Sequence, residues 1–280
     1  MLRAWIRLLR PAHWIKNILV FAPLFFNGGV LSSQRFISVA IAFLSFCFAA
    51  SAVYVFNDLA DAENDRKHPT KRDRPIASSA ISERVAAVTF GTLSVLASAL
   101  AFICAGISGI ACIAGYVLIN VAYSKGLKKV PLVDVVLLSA GYVIRMVFGA
   151  IAADVVISEW LYLTVMAGSF FLGLGKRRGE SDAFGAESRS VLSGYTREFL
   201  DKNMYVCMAL TMTFYSLWVR ERPIRLVSVP LVLIVFMRYS LDIERDGDGD
   251  PMGVVLGDRM LSALIALYVL SAALVVYLPW

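Results

Sequence analysis

Charged residues are scarce in this sequence, and histidine and cysteine are scarcer still. Asp, Glu, Lys and Arg together make up 17% of the 280 residues, against about 25% in soluble domains. The two histidines, His13 and His68, are too few and too separated for a histidine metal site or a catalytic triad. The four cysteines form no CxxC pair and lie within apolar stretches, which argues against a cysteine metal site and predicts small core residues.

Long uncharged runs take the place of the missing charge. Hydrophobic residues reach 59% and the mean hydropathy is +0.70, which is too apolar for a water-soluble globule. A helix needs about 20 mostly apolar residues to cross a bilayer, and the run 85–124 is long enough for two helices, which we divide near Gly106 and Gly109. The other candidate spans are 17–34, 36–57, 130–153, 158–175, 203–219, 223–241 and 260–280. The sequence therefore predicts one domain over residues 1–280, an all-α integral membrane protein of about nine transmembrane helices.

Basic residues predict the orientation, because Lys and Arg are retained on the cytoplasmic side of a membrane. With the N-terminus in the cytoplasm, most of the 27 Lys and Arg residues fall on that side. The chain is therefore predicted to be a multi-pass protein of the cell membrane. No cleavable signal peptide is expected, because the first apolar run is long enough to span the membrane. Residues 1–10 are expected to form an interfacial helix, and function is expected on two long cytoplasmic loops, 58–84 and 176–202.

The first long loop begins beside the acidic sequence NDLADAENDR, residues 57–66. On a helix, residues four apart share a face, so Asn57, Asp61 and Asp65 fall in one line with Asp58 beside them. Carboxylates this close repel one another unless a cation lies between them, and oxygen ligands suit Mg²⁺. We therefore predict a Mg²⁺ site at these four residues; the alternative is an ordinary solvated helix end.

A basic run, RKHPTKRDRPI at residues 66–76, overlaps the end of the acidic motif. Lys71 offers a point charge to phosphate oxygens, and Arg72 and Arg74 offer forked donors. Beside the acidic residues, they predict that a metal-bound diphosphate is held here. Taken alone, the same run would be a positive-inside topology signal.

Ionisable residues also occur inside apolar sequence, at Asp134 and Arg145. Such residues are costly in a membrane and usually functional. On one helix they share a face but lie about 16 Å apart, too far to pair directly. Asp134 is predicted to reach the substrate pocket, and Arg145 either to bind there or to form a structural pair with another helix.

The acidic motif, together with HPTKRDRPIAS at residues 68–78, resembles the NDxxDxxxD signature and downstream basic stretch of the UbiA-type intramembrane prenyltransferase family. The resemblance covers nearly the whole chain and implies a UbiA-like helical bundle in which the four motif residues bind Mg²⁺ and a diphosphate. Ordinary members carry a second aspartate motif after the sixth span, where this chain reads GLGKRRGESDAFGAES, residues 173–188. The cations in this segment suggest a second anionic substrate, or simply the anchoring of a cytoplasmic helix end.

The motifs RPAHWIKN (10–17), YSKGLK (123–128) and GKR (175–177), with Asp134 and Arg145, resemble the decaprenyl-phosphate phosphoribosyltransferase branch of that family. This resemblance implies Mg²⁺-dependent transfer of a 5-phosphoribosyl group from 5-phosphoribosyl 1-diphosphate to a polyprenyl phosphate, a step towards cell-wall arabinose donors, with no nucleic acid partner. The expected catalytic residues are Asp58, Asp61 and Asp134. The expected substrate-binding residues are Lys16, Asn17, Lys71, Arg72, Arg74, Tyr123, Lys128, Arg145, Lys176 and Arg177.

Two other functions fit parts of the pattern. A prenyltransferase would move a prenyl group from a prenyl diphosphate to an aromatic or other acceptor, but an aromatic acceptor would not demand a basic second loop. A transporter would use Asp134 and Arg145 as a substrate or ion path, but the acidic motif lies at the water interface and not at the bilayer midplane, where transporter sites lie.

Overall fold

The structure is a computed structural model that describes residues 1–67, 69, 71–184, 191–220, 226–246 and 250–277. Throughout this part of the chain the regular structure is helical. The α-helices are α1 (Leu2–Leu9), α2 (Ala22–Phe26), α3 (Ser33–Ala60), α4 (Ala62–Lys67), α5 (Glu83–Ser124), α6 (Val133–Ala153), α7 (Glu159–Phe184), α8 (Arg197–Val219), α9 (Ser228–Asp246), α10 (Pro251–Gly257) and α11 (Arg259–Tyr277). Short 3₁₀ segments cover Pro11–Phe21, Gly29–Leu31, Lys71–Asp73, Leu127–Lys129 and Leu192–Gly194.

Four of these helices, α3, α5, α6 and α11, are long and apolar enough to cross a membrane. They coincide with the runs 36–57, 85–124, 130–153 and 260–280. The all-α prediction is confirmed, and these helices support a multi-pass membrane protein. α7, α8 and α9 coincide with three more predicted spans, but each extends into charged sequence. The total of about nine transmembrane helices stays a prediction.

Residues 17–34 do not form the single transmembrane helix expected from their composition. The chain runs as a 3₁₀ segment to Phe21, then as the short α2, then as a second 3₁₀ turn at Gly29–Leu31. Pro23 has no N–H to donate to a helical ladder, and Gly28 adopts φ 76°, outside the helical region. An uncharged run of sufficient length is therefore not continuous α-helix here.

Helices extend into both segments predicted as long loops, 58–84 and 176–202. α4 continues to Lys67, α7 continues to Phe184, and α8 begins at Arg197. Glu, Lys and Arg are good helix formers, so a helix does not end where its apolar part ends. Residues 185–190, within the second segment, lie outside the described part of the chain.

The predicted division of the run 85–124 is confirmed. α5 bends at Gly106, whose φ of 59° and ψ of −146° are non-helical. Only glycine adopts this conformation readily, because it has no Cβ. The bend separates two helical halves, about 35 Å and about 27 Å long, each close to the thickness of the hydrocarbon core.

The chain packs as two compact units. Unit 1 comprises Met1–Leu24, Gly29–Gly126 and Ile144–Val155, and unit 2 comprises Phe25–Gly28, Leu127–Val143 and Val156–Trp280. Each unit has its own buried apolar core. A single domain over residues 1–280 stays a prediction.

Unit 1 is built on close packing of α3 against α5. Small residues in its core, among them Ala49 and Ala101, let the helices approach. The 3₁₀ segment Pro11–Phe21 packs on the same core: a Cβ on Gly149 would lie 1.9 Å from the Val20 carbonyl oxygen, so only glycine fits there. A second apolar cluster of unit 1 contains the buried residues Leu8, Val55, Ala62, Ile76, Ile81 and Ala86.

The core of unit 2 lies among α6, α7, α8, α9 and the last two helices. Its buried members are Val135, Phe171, Leu174, Leu200, Met204, Tyr239, Ile243, Val254 and Leu261. Aromatic pairs tighten this core: the Phe171 ring meets that of Phe236 edge to face, with centroids 4.8 Å apart. These contacts hold the charged ends of α7, α8 and α9 in place.

Candidate active site

The acidic motif lies where α3 passes into α4. α3 ends at Ala60 and α4 begins at Ala62, but the helical hydrogen bonds continue through Asp61. The Asp61 N–H donates to the Asn57 carbonyl oxygen (3.0 Å), and the Asp65 N–H donates to the Asp61 carbonyl oxygen (2.8 Å). The motif therefore keeps its helical spacing. The side chains of Asp58 and Asp65 are buried, the residues being 2% and 4% exposed.

Arg74 bridges the two buried carboxylates. Its Nη1 donates to Asp65 Oδ2 at 2.8 Å and to Asp58 Oδ1 at 3.3 Å. The 3₁₀ turn Lys71–Asp73 directs it there, because the Arg74 N–H closes that turn and the following Ile76 is buried in the second apolar cluster. The Arg74 side chain is still 30% exposed. A guanidinium that is partly open to solvent can bind phosphate oxygens as well as carboxylates.

Arg10 belongs to this cluster, although the sequence prediction did not include it. Its Nη2 donates to Asp58 Oδ1 at 2.7 Å, and its guanidinium lies over the Tyr54 ring, 4.7 Å from the centroid. The residue has φ 50° and ψ 54°, so the chain turns sharply between α1 and the 3₁₀ segment that starts at Pro11. In the sequence, Arg10 was marked only as the first residue of the motif RPAHWIKN. Asp58, however, is 48 residues away in sequence.

The carboxylates do not converge on one point as the metal prediction implies. Among the described residues, no group of three His, Cys, Asp or Glu side chains is arranged to hold a metal ion. Asp58 and Asp65 instead bind guanidinium groups, and Asn57 Oδ1 accepts a hydrogen bond from the Ser124 hydroxyl. One oxygen, Asp58 Oδ2, is buried without a hydrogen-bond partner, which calls for a ligand. The oxygen chemistry of these residues, though not their arrangement here, suits a hard cation such as Mg²⁺.

Four further predicted residues of unit 1 lie on three different elements. Lys16 is partly buried in the 3₁₀ segment Pro11–Phe21, while Lys71 (partly buried) and Arg72 (exposed) form the turn after the acidic motif. Tyr123 is partly buried at the end of α5. Because Tyr123 adjoins Ser124, which binds Asn57, the structure brings the YSKGLK motif next to the acidic motif.

Asn17 and Arg145 form a buried polar network within unit 1. Arg145 Nε donates to Asn17 Oδ1 at 2.8 Å, and Arg145 Nη2 donates to Tyr116 Oη at 3.3 Å. The guanidinium also lies 4.9 Å from the Phe46 ring centroid and 5.1 Å from that of Tyr116. Both Asn17 and Arg145 are buried. These contacts favour the structural alternative for Arg145, and a substrate-binding role for the pair stays a prediction.

In unit 2, Asp134 lies at the centre of a second charged cluster. Asp134 Oδ2 accepts a hydrogen bond from Arg177 Nε at 2.5 Å, and Oδ1 accepts one from Tyr195 Oη at 2.6 Å. Arg177 Nη1 also donates to Glu180 Oε2 at 2.5 Å. Asp134 and Arg177 are both fully buried, so their charges compensate each other inside the protein.

Lys176, Arg177 and Arg178 lie inside α7 and not on a loop. Lys176 is partly buried, whereas Arg178 is buried and donates to Asp201 Oδ1 at 2.6 Å. Arg177 and Arg178 thus have protein carboxylates as partners. These contacts support the alternative that the basic run has a structural role, and a second anionic substrate bound by this run stays a prediction.

Tyr195 is another residue that the sequence prediction missed. Its hydroxyl donates to Asp134 and accepts a hydrogen bond from the Leu132 N–H at 2.5 Å, which ties Asp134 to the end of the loop that carries the partly buried Lys128. Burial raises the pKa of the Tyr195 phenol, and the hydrogen bond to Asp134 raises it further. No local pattern marks Tyr195, since these partners lie 61 and 63 residues away.

Unit 2 also contains an apolar cavity of about 240 Å³. Its walls come from α8, α9 and α11 and include Trp218, Leu231 and Leu267. The lining hydroxyls of Tyr215 and Ser228 hydrogen-bond each other at 2.6 Å. None of the predicted site residues lines this cavity, so it is not a candidate for phosphate chemistry.

The chain is similar in sequence to proteins of a known family. A model described as the UbiA prenyltransferase family matches residues 18–252. A protein of Corynebacterium glutamicum named decaprenyl-phosphate phosphoribosyltransferase is 34% identical, over 98% of this chain and 86% of the relative. The protein of the same name from Mycolicibacterium smegmatis is 32% identical, over 97% of this chain and 92% of the relative.

Solved structures with the same fold share less of the sequence. A UbiA homologue from Archaeoglobus fulgidus bound to GPP and Mg²⁺ superposes with a TM-score of 0.76 at 20% identity, covering 98% of this chain and 99% of the other. Digeranylgeranylglyceryl phosphate synthase superposes with a TM-score of 0.69 at 17% identity, covering 99% of this chain and 98% of the other. These likenesses show a UbiA-like fold.

Proposed function

The chain belongs to the UbiA prenyltransferase family, and from this premise we propose that it is a phosphoribosyltransferase. The proposed reaction moves a 5-phosphoribosyl group from 5-phosphoribosyl 1-diphosphate to a polyprenyl phosphate and forms polyprenyl phosphoryl-5-phosphoribose. Near full-length similarity to decaprenyl-phosphate phosphoribosyltransferases, at 32–34% identity, supports this reaction over prenyl transfer.

The observation that carries the proposal is the environment of Asp58. A buried carboxylate with one unpartnered oxygen lies beside two partly exposed guanidinium groups, those of Arg10 and Arg74. The carboxylate suits a hard cation and the guanidiniums suit phosphate oxygens. A metal-bound diphosphate needs both kinds of ligand in one place.

The acidic motif is proposed to hold the cofactor. Asn57, Asp58, Asp61 and Asp65 would bind Mg²⁺, which neutralises charge on the departing diphosphate. Lys71, Arg72 and Arg74 would bind diphosphate oxygens and stabilise the charge that develops as the bond to ribose breaks. Lys16, Tyr123, Lys128 and Lys176 are all partly buried, and each, taken singly, is a candidate for binding a phosphate of the donor or of the lipid.

The proposed reaction is a single displacement at ribose C1. The bond between C1 and the diphosphate oxygen breaks, and its electron pair leaves with the diphosphate. An oxygen of the lipid phosphate forms the new bond to C1. Because a phosphate monoester is already an anion near neutral pH, this oxygen needs no general base. The chain's residues therefore act by binding, orienting and neutralising.

Asp134 is proposed to act through its neighbours. Its side chain is fully buried and both oxygens accept hydrogen bonds inside the protein, so a ribose hydroxyl could reach it only if these neighbours moved. It instead holds Tyr195, which in turn holds Leu132 and the loop with Lys128. Arg177 supports the same arrangement by neutralising Asp134.

The excess of Lys and Arg on one side of the predicted topology supports a cytoplasmic active site and N-terminus. The two substrates would then meet at that face of the cell membrane, the donor from water and the acceptor from the bilayer. A thiol-labelling or protease-accessibility map of the two chain ends in sealed vesicles would test this orientation.

A transfer assay tests the reaction itself. Purified protein with Mg²⁺ is given labelled phosphoribosyl diphosphate and a polyprenyl phosphate, beside a second reaction with a prenyl diphosphate and an aromatic acceptor. We expect labelled lipid and released pyrophosphate in the first reaction, and loss of both with a chelator. Prenylation of the aromatic acceptor without any lipid-linked phosphoribose would overturn the proposal in favour of the alternative.

A further inference from the structure

We propose that Arg10 is a diphosphate-binding residue, which makes the N-terminal segment part of the substrate site. This inference rests on the proposed function only in requiring that the substrate carries a diphosphate. Arg10 lies before the first apolar run, so it belongs neither to the acidic motif nor to the basic run after that motif. Its contacts carry the argument.

Two guanidinium groups meet at one carboxylate oxygen. Arg10 Nη2 lies 2.7 Å and Arg74 Nη1 lies 3.3 Å from the same atom, Asp58 Oδ1. Like charges come this close only when an anion lies between them. In this structure that anion is Asp58. A diphosphate has more negative charge and more oxygens than a carboxylate, so it suits a pair of guanidiniums better.

Arg10 keeps donors for a ligand. In its described hydrogen bonds it uses one of the five N–H groups of a guanidinium, and 26% of its side chain is exposed. Asp58 Oδ2, on the other side of the same carboxylate, is buried without a hydrogen-bond partner. A cation bound at Asp58 Oδ2 and an anion bound at Arg10 would therefore be neighbours.

The position of Arg10 is fixed before any ligand binds. Trp14 Nε1 donates to Ser51 Oγ at 3.0 Å, and Ser51 Oγ donates to the Leu9 carbonyl oxygen at 2.8 Å. The guanidinium lies over the Tyr54 ring. These contacts fix the chain on both sides of Arg10, at Leu9 and at Trp14, and the Tyr54 ring supports the guanidinium. Arg10 is thus preorganised, which lowers the entropy cost of binding a ligand.

A purely structural role makes a different prediction. If Arg10 only clips the N-terminal segment to α3, its loss should weaken the fold and every ligand together. If Arg10 binds diphosphate and also shares Asp58 with the cation, its loss should weaken diphosphate binding but strengthen cation binding. The two affinities then move in opposite directions.

The test compares Arg10→Ala with Arg7→Ala, which removes an exposed positive charge from α1. Inorganic pyrophosphate is titrated in the presence of Mg²⁺, and Mn²⁺ is titrated alone by electron paramagnetic resonance. For Arg10→Ala we expect pyrophosphate affinity to fall roughly ten-fold or more and Mn²⁺ affinity to rise. For Arg7→Ala we expect both to stay within about two-fold, because exposed charges are screened.

Pyrophosphate affinity within two-fold of wild type would overturn the proposal, and so would a parallel fall in both affinities with a lower melting temperature. If the alanine variant folds poorly, Arg10→Gln replaces it, because glutamine keeps a hydrogen-bond donor for Asp58. The same changes in pyrophosphate and Mn²⁺ affinity are expected for this variant. Since inorganic pyrophosphate is the probe, an enzyme that used another diphosphate would still show the Arg10 effect. Failure of the transfer assay and failure of this inference are therefore distinguishable.

Discussion

Asp58 in unit 1 and Asp134 in unit 2 are both buried carboxylates held by arginine, yet their surroundings differ. The arginines at Asp58 are partly exposed, and one oxygen of that carboxylate has no hydrogen-bond partner. The arginine at Asp134 is fully buried, and both carboxylate oxygens accept hydrogen bonds.

This difference means that the Asp58 cluster can exchange its protein partners for a ligand, whereas the Asp134 cluster maintains the fold. A fully satisfied buried network rigidifies its surroundings, and breaking it leaves an uncompensated charge. A partly exposed network with an unmet acceptor can give up a protein partner for a ligand at little cost. The proposed metal and diphosphate site is therefore the Asp58 cluster in unit 1, while the Asp134 cluster maintains the fold of unit 2.

The largest loss of stability is expected when Arg177 is removed from the Asp134 cluster. Arg177→Ala leaves Asp134 buried without its cation and removes a partner of Glu180, so we expect the free energy of unfolding to fall by about 3–5 kcal/mol. Denaturation of the purified protein measures this loss. Lys202→Ala, which removes an exposed cation paired with Glu198, should cost less than about 1 kcal/mol. Equal losses for the two variants would contradict the claim that the buried Asp134 cluster maintains the fold.

Removing the charge of Asp58 should affect turnover more than stability. Asp58→Asn deletes the proposed metal ligand, worth several kcal/mol of charge stabilisation, so we expect transfer to slow roughly 100-fold or more. Arg10 and Arg74 are partly exposed and can be hydrated, so melting should change less than for Arg177→Ala. Glu63→Gln, an exposed change in the same motif, is the control. Mg²⁺-dependent turnover that survived Asp58→Asn would refute the metal assignment.

Removing one hydroxyl should show whether the second cluster is a single network. Tyr195→Phe deletes the hydrogen bonds to Asp134 and from the Leu132 N–H, which should cost about 1–2 kcal/mol. A phenol with a raised pKa stays protonated below its ordinary value of about 10, so this contribution is present at neutral pH and is lost only as the pH rises above that value. Unfolding measured between about pH 6 and 9 should show a constant difference from wild type. A difference that vanished within this range would contradict the assignment.

The smallest effect is expected at Arg66, the last residue of the acidic motif. Its guanidinium pairs with Glu83 at 2.7 Å, but both side chains are well exposed. Arg66→Ala should therefore lower stability by less than about 1 kcal/mol and leave transfer unchanged. A large loss of transfer would extend the active site to this face and weaken the distinction between exposed pairs and the Asp58 cluster.

Local rules predicted the parts of the site that lie close together in sequence. The four-residue spacing of the acidic motif, the nearby Arg74 and the bend at Gly106 all follow from helix geometry and glycine conformation. Hydropathy also placed α3, α5, α6 and α11. In each case the deciding interactions span a few residues.

Long-range contacts explain what the sequence did not predict. Arg10 reaches Asp58 across 48 residues and Tyr195 reaches Asp134 across 61, and nothing local marks these pairs. The charged run in α7 looked like a loop because hydropathy reports where lipid ends and not where a helix ends. Its arginines looked available for substrate because their carboxylate partners, Asp134 and Asp201, lie far along the chain.

Pyrophosphate binding by Asp58→Asn and Asp134→Asn, measured with and without Mg²⁺ on the folded fraction of each variant, tests the central claim most directly. We predict that Asp58→Asn loses Mg²⁺-dependent binding while it melts close to wild type. We predict that Asp134→Asn melts earlier but that its folded molecules still bind. Wild-type binding by Asp58→Asn, or no binding by folded Asp134→Asn, would contradict the account.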